Sequence, residues 1–253
     1  MTSKVFQLSA EAMGTEIVTI YVGPKRKPFV LHKKLLCDRS EFFSKALNGG
    51  FKESAEGIMY LPEDDADVFE VTNMFIYQDA LPAFPSDKYP ATAAGTRTFI
   101  NVVLFQQFAF ASKICFDYLA NRVMDMIQDV QREQTRFPVL PMIAFAYQNT
   151  SEKSKLRIYC VLMCLLMVNW RAKGVSINVT HQDQGKALGE VVQRHPDFGS
   201  DYLEYEWKYV QMFREGKLRV LNILKRTDEG GLGRCFFHSH LKNSTCHLDL
   251  EKV

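Results

Sequence analysis

One stretch of the chain, residues 18–82, constrains the fold more than any other part of the sequence. Residues 17–22 are nearly all strand formers, and this pattern predicts a β-strand with at least one well-buried face. A Gly-Pro pair at positions 23–24 then begins a turn, and residues 29–31 form the predicted returning strand. The stretch therefore opens with a predicted β-hairpin.

A helical segment is predicted directly after the hairpin. Asp38 or Ser40 can cap its second half, and the glycines at 49–50 can end it, because glycine tolerates the left-handed conformation of a helix end. From His32 onward the apolar residues fall at helical spacing, and they are Leu35, Leu36, Phe42, Phe43, Ala46 and Leu47.

A short strand and a capped helix complete the stretch. Residues 58–61 are the predicted strand, which Pro62 ends, and Asp64 or Asp65 is expected to cap a helix running to about Tyr77. The acidic side chains near this cap lie where the helix dipole favours negative charge. We therefore interpret them as capping residues and not as metal ligands.

The rest of the chain predicts further helices. Residues 79–98 contain prolines and small residues and predict a long extended loop. Helical spacing of apolar residues resumes at 102–115 and again at 119–127. Later helices are predicted at 142–147, 155–170, 184–194 and 202–225.

The order of these elements resembles the BTB/POZ domain, a protein–protein interaction module. The resemblance covers residues 15–130, and the helical continuation, with Ala146-Tyr147-Gln148-Asn149-Thr150, is similar to fungal BTB-domain proteins. It rests on the order and spacing of short motifs: His32, Leu35-Leu36-Cys37, Ser40-Glu41-Phe42-Phe43, Phe51-Lys52-Glu53-Ser54, Leu61-Pro62-Glu63-Asp64-Asp65 and Phe108-Ala109-Phe110-Ala111-Ser112-Lys113.

The resemblance implies an α+β fold. It implies the BTB/POZ fold, a small β-sheet flanked by α-helices, followed by an all-helical C-terminal region. The expected domains are a leader at 1–14, the BTB/POZ domain at 15–130, the helical region at 137–226 and a Cys/His-rich tail at 227–253.

The resemblance also implies a function in binding other proteins. Family members commonly form homodimers, and many are substrate adaptors of cullin-based ubiquitin ligases or transcriptional co-regulators. We expect a homodimerising adaptor or scaffold, with the leader and the helix after the hairpin near the two-fold axis. The residues expected to bind a partner are Val18, Ile20, Val22, His32, Leu35, Leu36, Phe42 and Phe43.

Motifs for catalysis are missing from the sequence. It contains no Gly-x-Ser-x-Gly elbow and no His-Glu-x-x-His pair, and Gly185-Lys186 lacks the preceding glycine of a phosphate loop. His32 is interpreted as a hydrogen-bonded bridge between strand and helix. We therefore expect no enzyme, no catalytic residue and no cofactor other than a structural zinc ion.

Charge and hydropathy limit the partners and the location. A net charge of +2, from 31 basic and 29 acidic residues, gives no field that would attract nucleic acid or a membrane. The chain start lacks the apolar core of a secretory signal, and the longest apolar run, 158–168, is shorter than the roughly 20 residues of a membrane span. We expect a cytoplasmic or nuclear protein with reduced cysteines.

The tail is dense in residues that bind metals. Thiolate and imidazole are the ligands that zinc prefers, and a closed structural site needs four of them. The candidate zinc ligands are Cys235, His238, His240 and Cys246, and the alternative is a tail that is rich in these residues by chance. An alternative function is a transcription or chromatin-associated regulator that uses this tail, against which the near-zero net charge argues.

Overall fold

The computed structural model describes residues 8–82, 94–134, 140–171, 181–217, 220–226, 232–240 and 245–250. By their internal contacts, the residues group into two compact units. The first contains Met1–Val123 and His240–Val253, and the second contains Met124–Ser239. Each unit has its own set of buried apolar side chains.

A three-stranded sheet lies in the first unit. Strand β1 (Ile17–Val22) pairs antiparallel with β2 (Lys27–His32) and parallel with β3 (Ile58–Leu61), so the strand order is β2-β1-β3. Gly23 and Arg26 take left-handed backbone in the turn, with φ of 76° and 52°, and the Arg26 N–H donates to the Gly23 carbonyl at 2.9 Å. The predicted hairpin and the predicted third strand are both confirmed.

Helices flank this sheet in the sequence order that the resemblance implies. They begin with the short α1, and the last of them, α7, continues into the second unit. Their bounds are α1 (Ala10–Met13), α2 (Lys33–Arg39), α3 (Glu41–Asn48), α4 (Lys52–Glu56), α5 (Ala66–Gln78), α6 (Ala94–Lys113) and α7 (Asp117–Gln134).

Capping residues decide where two of these helices begin. The helical segment predicted after the hairpin is two helices, because Ser40 has extended backbone (φ −136°, ψ 119°) and its hydroxyl accepts from the Phe43 N–H at 3.3 Å. Asp65, and not Asp64, caps α5: its carboxylate accepts from the N–H groups of Asp67 at 2.8 Å and Val68 at 3.3 Å. Both caps satisfy N–H groups that a helix start leaves without partners.

The core of the first unit is centred on Phe69. This side chain is fully buried, and its ring centroid lies 4.7 Å from Phe29, 6.4 Å from Phe43 and 5.9 Å from Phe110. Burying one such side chain is worth about 1.5–3 kcal/mol. The inner face of the sheet, α3, α5 and α6 therefore share one aromatic core.

Several buried polar groups in this core are hydrogen-bonded. The Gln107 amide donates to the Thr72 hydroxyl at 2.7 Å, and that hydroxyl donates to the Val68 carbonyl at 3.2 Å. The Ser40 hydroxyl donates to the Ile114 carbonyl at 2.5 Å. These bonds offset the cost of removing polar atoms from water.

The regular secondary structure in the described residues of the second unit is all helical. Helix α9 packs against α8 and α11, and α10 packs against the same two helices. No helix in the described residues is long and apolar enough to cross a membrane. The bounds are α8 (Leu140–Asn149), α9 (Lys155–Arg171), α10 (His181–Arg194), α11 (Pro196–Arg214) and α12 (Val220–Lys225), and the short α13 (His247–Leu250) follows in the tail.

Two predicted boundaries are wrong. The helix expected at 202–225, with Gly216 as its weak point, is divided between α11 and α12, and Gly216 takes left-handed backbone with φ of 69°. The loop expected at 79–98 ends earlier, because α6 already begins at Ala94. Residues 83–93 of that loop lie outside the described residues.

Arg157 joins three helices of the second unit. Its guanidinium lies 4.7 Å from the Tyr147 ring centroid and donates to the Tyr147 carbonyl at 2.8 Å and to the Thr150 carbonyl. An Asp197 carboxylate oxygen is 3.6 Å away. The Tyr147 hydroxyl in turn donates to Asp201 at 2.6 Å, so charged and aromatic groups tie α8, α9 and α11 together.

Candidate interaction surface

Most residues predicted to bind a partner lie in the core of the first unit. Side chains this deeply buried offer no area to another molecule, so they hold the sheet, α2 and α3 together. Those at most 2% exposed are Val18, Ile20, Val22, Leu35, Leu36 and Phe43.

The two other predicted residues are only partly covered. Phe42 is half-buried, and its ring packs edge-on against Phe43 with the centroids 5.2 Å apart. The backbone N–H of His32 donates to the Tyr77 hydroxyl at 3.1 Å, and the His32 Nδ1 lies 2.9 Å from the same oxygen. His32 thus bridges the end of β2 to α5, as the sequence predicts.

The opposite face of the sheet is exposed and largely apolar. Successive side chains of a strand point to opposite faces, and Ile17, Val30 and Tyr60 are 63%, 60% and 52% exposed. Thr19 lies between Val30 and Ile58 in the register of the three strands. We call this surface the outer sheet face: Ile17, Thr19, Tyr21, Val30, Ile58 and Tyr60.

Aromatic rings and one cation order the outer sheet face at the hairpin end. The Tyr21 and Tyr60 rings stack with centroids 5.2 Å apart and an interplanar angle of 14°. The Arg26 guanidinium lies 5.5 Å from the Tyr60 centroid, a contact worth about 0.5–1 kcal/mol at an exposed site. Tyrosine and arginine are enriched in protein interfaces, so the arrangement favours protein binding.

Sequence reasoning missed this face because both sides of β1 are apolar. Val18 and Ile20 point inward, and Ile17 and Tyr21 belong to the outer face. With strand formers at every position, alternation shows two faces without showing which one is covered. The available signal was Val30: alternation along β2 places this apolar residue on the face opposite to that of Phe29 and Leu31, which are buried.

The comparison with known families agrees with this architecture. Residues 17–96 match the family model of the BTB/POZ domain. This part of the chain is a BTB/POZ domain. No curated protein matches the chain. The predicted fold class, a BTB domain followed by an all-helical region, is confirmed, and the BTB domain makes the chain a protein that binds other proteins.

Outside the BTB domain, the predicted metal ligands all lie in described parts of the tail. His238 and Cys246 are buried, Cys235 is half-buried and His240 is exposed. The Nε2 atom of His238 lies 2.9 Å from an Asp125 carboxylate oxygen. Asp125 could not be predicted as a neighbour of His238, because no spacing rule connects residues so far apart in the chain.

The cysteines of α9 have a different environment. Cys160 and Cys164 lie on one helix among apolar side chains and are both buried. Burial raises the pKa of the Cys160 thiol well above its usual range and that of Cys164 to about 12. These thiols therefore stay protonated and serve packing, as the apolar sequence around them predicts.

Proposed function

We propose that this chain is a non-enzymatic, homodimerising adaptor or scaffold. Its BTB domain binds a second copy of the chain through the outer sheet face, and the dimer presents other surfaces to further proteins. The observation that supports the proposal best is the exposure of Ile17, Val30 and Tyr60 on one face of the sheet. Contiguous exposed apolar side chains mark interaction sites.

A second copy suits this face for reasons of symmetry and chemistry. A two-fold dimer places the same patch on both copies, so the patch must be complementary to itself. The outer sheet face has apolar side chains at its centre and the Arg26–Tyr60 pair at one end. Apolar contacts can form at the two-fold axis, and each arginine can stack on an aromatic ring of the other copy.

Light scattering on a charged variant tests the dimer. Val30→Lys places a cation in the outer sheet face, and we expect it to convert the dimer into a monomer at micromolar concentration. The same change at Leu203, which is 66% exposed on α11 in the second unit, is the matched control and should leave the dimer intact. Exposed substitutions change folding stability by only about 0.5 kcal/mol, so both variants should stay folded.

Two outcomes contradict this assignment. An unmutated chain that is monomeric at micromolar concentration excludes the homodimer. A Val30→Lys variant that stays dimeric while Leu203→Lys is monomeric transfers the interface to the second unit. The leader, residues 1–14, is expected near the two-fold axis. Its residues 1–7 lie outside the described residues.

We further propose that the dimer is a substrate adaptor of a cullin-based ubiquitin ligase. The resemblance to BTB adaptors supports this role, and the all-helical region after the BTB domain supplies a second surface for substrate. Mixing the purified chain with the N-terminal domain of a cullin and measuring binding by calorimetry tests it. A folded dimer that binds none of the cullins rejects the ligase role and leaves a scaffold.

The alternative, a chromatin-associated regulator, has less support. Nucleic-acid binding depends on an excess of Lys and Arg that neutralises phosphates. This chain has 31 basic against 29 acidic residues. A gel-shift assay with mixed-sequence DNA should therefore show no complex at physiological salt.

A further inference from the structure

Helix α11 carries two large apolar side chains on its solvent side. Leu203 is 66% exposed and Trp207 is 88% exposed. Residues four apart on a helix lie on the same side, so these two side chains are neighbours. Phe198 and Tyr209, which are buried, form the opposite side of the same helix and pack into the second unit. The core of that unit therefore does not account for Leu203 and Trp207.

Helix α10 extends this apolar side toward the start of α11. Gly199 lies four residues before Leu203, and Val192 Cγ1 is only 2.9 Å from the position that a Cβ of residue 199 would take. Val192 is itself 38% exposed. From Gly199 to Trp207 the helix rises roughly 12 Å, so an apolar stripe about two turns long begins on α10 and continues along α11. Contiguous exposed apolar side chains of this kind mark interaction sites.

Two carboxylates flank the stripe. Successive residues of a helix are about 100° apart around its axis, so Glu204 lies on one side of the Leu203–Trp207 pair and Glu206 lies on the other. The helix dipole favours acidic side chains only within the first turn. Both residues lie beyond the first turn of α11, which begins at Pro196, so capping does not explain them.

Contacts within the chain leave these two carboxylates available. The other two acidic residues between 196 and 207, Asp197 and Asp201, have partners on α9 and α8. Among the described residues, no ion pair involves Glu204 or Glu206. The first basic residue of α11, Lys208, lies over the rings of two tyrosines. Uncompensated negative charge therefore borders the stripe, and we call the whole surface the α11 face: Val192, Leu203, Glu204, Glu206 and Trp207.

We propose that the α11 face binds an amphipathic helix of a partner protein, with Lys or Arg on both flanks of its apolar side. A helix lays apolar side chains spaced three or four residues apart along such a stripe, and its cations meet Glu204 and Glu206. The described secondary structure of the second unit offers no strand edge for an extended peptide. This inference rests on the proposed adaptor function, because it names the surface that holds the adaptor's substrate.

Selection from a displayed library of random, tryptophan-free helical peptides by the unmutated full chain tests the proposal. We expect the selected peptides to carry apolar residues three or four apart together with Lys or Arg. Trp207→Ala should weaken their binding about 30-fold or more. Phe51→Ala, which removes an exposed ring in the first unit, is the matched control and should bind normally. A selection that yields no peptide, or peptides that bind Trp207→Ala as tightly as the unmutated chain, overturns the proposal.

Charge removal tests the flanks of the stripe. The double variant Glu204→Gln, Glu206→Gln should bind the selected peptides about 3- to 10-fold more weakly. The control is Glu41→Gln, Glu56→Gln, which makes the same change of charge at exposed positions of the first unit and should leave affinity unchanged. Acidic peptides from the selection, or equal affinity in the two double variants, contradict a basic partner.

Tryptophan fluorescence supplies a readout on the unmutated chain. The chain contains two tryptophans, Trp170 and Trp207. Because the selected peptides contain none, a peptide that covers Trp207 should shift the emission to shorter wavelength, and Trp170→Phe should keep that shift. Binding without a shift contradicts docking on α11, even if Trp207→Ala misfolds.

Light scattering separates this proposal from the homodimer. A chain that dimerises and selects no helix rejects the partner helix alone, and a monomeric chain that selects one rejects the homodimer alone. If Trp207→Ala converts the dimer into a monomer, the α11 face belongs to a second copy and the proposal is overturned. Flotation with phosphatidylcholine vesicles gives a further check, since binding that Trp207→Ala abolishes would assign the face to a lipid surface instead.

Discussion

One hydroxyl makes both polar contacts that fix His32: Tyr77 Oη lies 3.1 Å from the His32 backbone nitrogen and 2.9 Å from its Nδ1. The oxygen accepts from the backbone N–H and, with Nδ1 as acceptor, donates its own hydrogen to the ring. His32 is the last residue of β2 and the N-cap of α2, where its side chain makes no capping bond. Tyr77 therefore joins the sheet to α5 at the point where the hairpin continues into the helices.

Removing this hydroxyl should destabilise the BTB domain. Tyr77→Phe keeps the ring and leaves a part-buried N–H and a ring nitrogen of His32 without that partner, which costs about 1–3 kcal/mol. The free energy of unfolding, measured by urea titration, should fall by that amount. Tyr60→Phe, at an exposed ring, is the control, and equal losses in the two variants would contradict the bridging role.

Phe69 should be among the most sensitive core positions. It is fully buried and contacts aromatic rings from β2, α3 and α6, so Phe69→Ala leaves a cavity between three elements and should cost about 3–5 kcal/mol. Phe51, 62% exposed, is the matched control, and its replacement by alanine should change stability by no more than about 0.5 kcal/mol. Denaturant midpoints that fall equally would show that Phe69 is not the centre of the core.

Local signals explain what the sequence predicted correctly. The hairpin depends on a Gly-Pro turn between two short strands, and the caps at Ser40 and Asp65 depend on side chains that reach only two or three residues along the chain. The end of α10 at Arg194 also follows from a local signal, because the residue before Pro196 disfavours helical backbone. Such features are determined within one turn of chain, so one sequence is sufficient to find them.

The contacts that could not be predicted from the sequence join residues far apart in the chain. Gln107 meets Thr72 inside the core, and His238 meets Asp125 in the second unit. Thr72, Gln107 and Asp125 belong to no motif, and these pairings depend on how the chain packs and not on spacing. The same reason explains why the outer sheet face escaped prediction: which face of the sheet is buried is decided by helix packing, as in the contact of Phe69 of α5 with Phe29 of β2.

Ionisation of Tyr118 should destabilise the BTB domain in alkaline solution. Its hydroxyl donates to Asp79 at 3.0 Å, and Arg39 lies 2.8 Å from the same carboxylate. Burial, followed by the Asp79 charge, raises the pKa of Tyr118 from 10.0 to about 12. The unfolded chain therefore loses this proton first as the pH rises, so the stability that Tyr118 contributes is complete below pH 10 and is lost by about pH 12.

Urea titrations across that pH range measure this contribution. Tyr118→Phe cannot ionise, so its stability should decline less steeply than that of the unmutated chain between pH 10 and about 12. Other tyrosines and lysines titrate in both proteins and cancel in the difference. Parallel stability curves for the two proteins would show that Tyr118 ionises equally in the folded and unfolded states.

Thiol reactivity should separate the cysteines by environment. Alkylating reagents attack the thiolate, and Cys115 is exposed, whereas burial raises the pKa of Cys160 and Cys164. In the native chain we expect rapid labelling of Cys115, with Cys160 and Cys164 labelled only at the rate of unfolding. Peptide mapping by mass spectrometry after short exposures resolves these sites, and native labelling of Cys160 as fast as Cys115 would show that α9 opens without global unfolding.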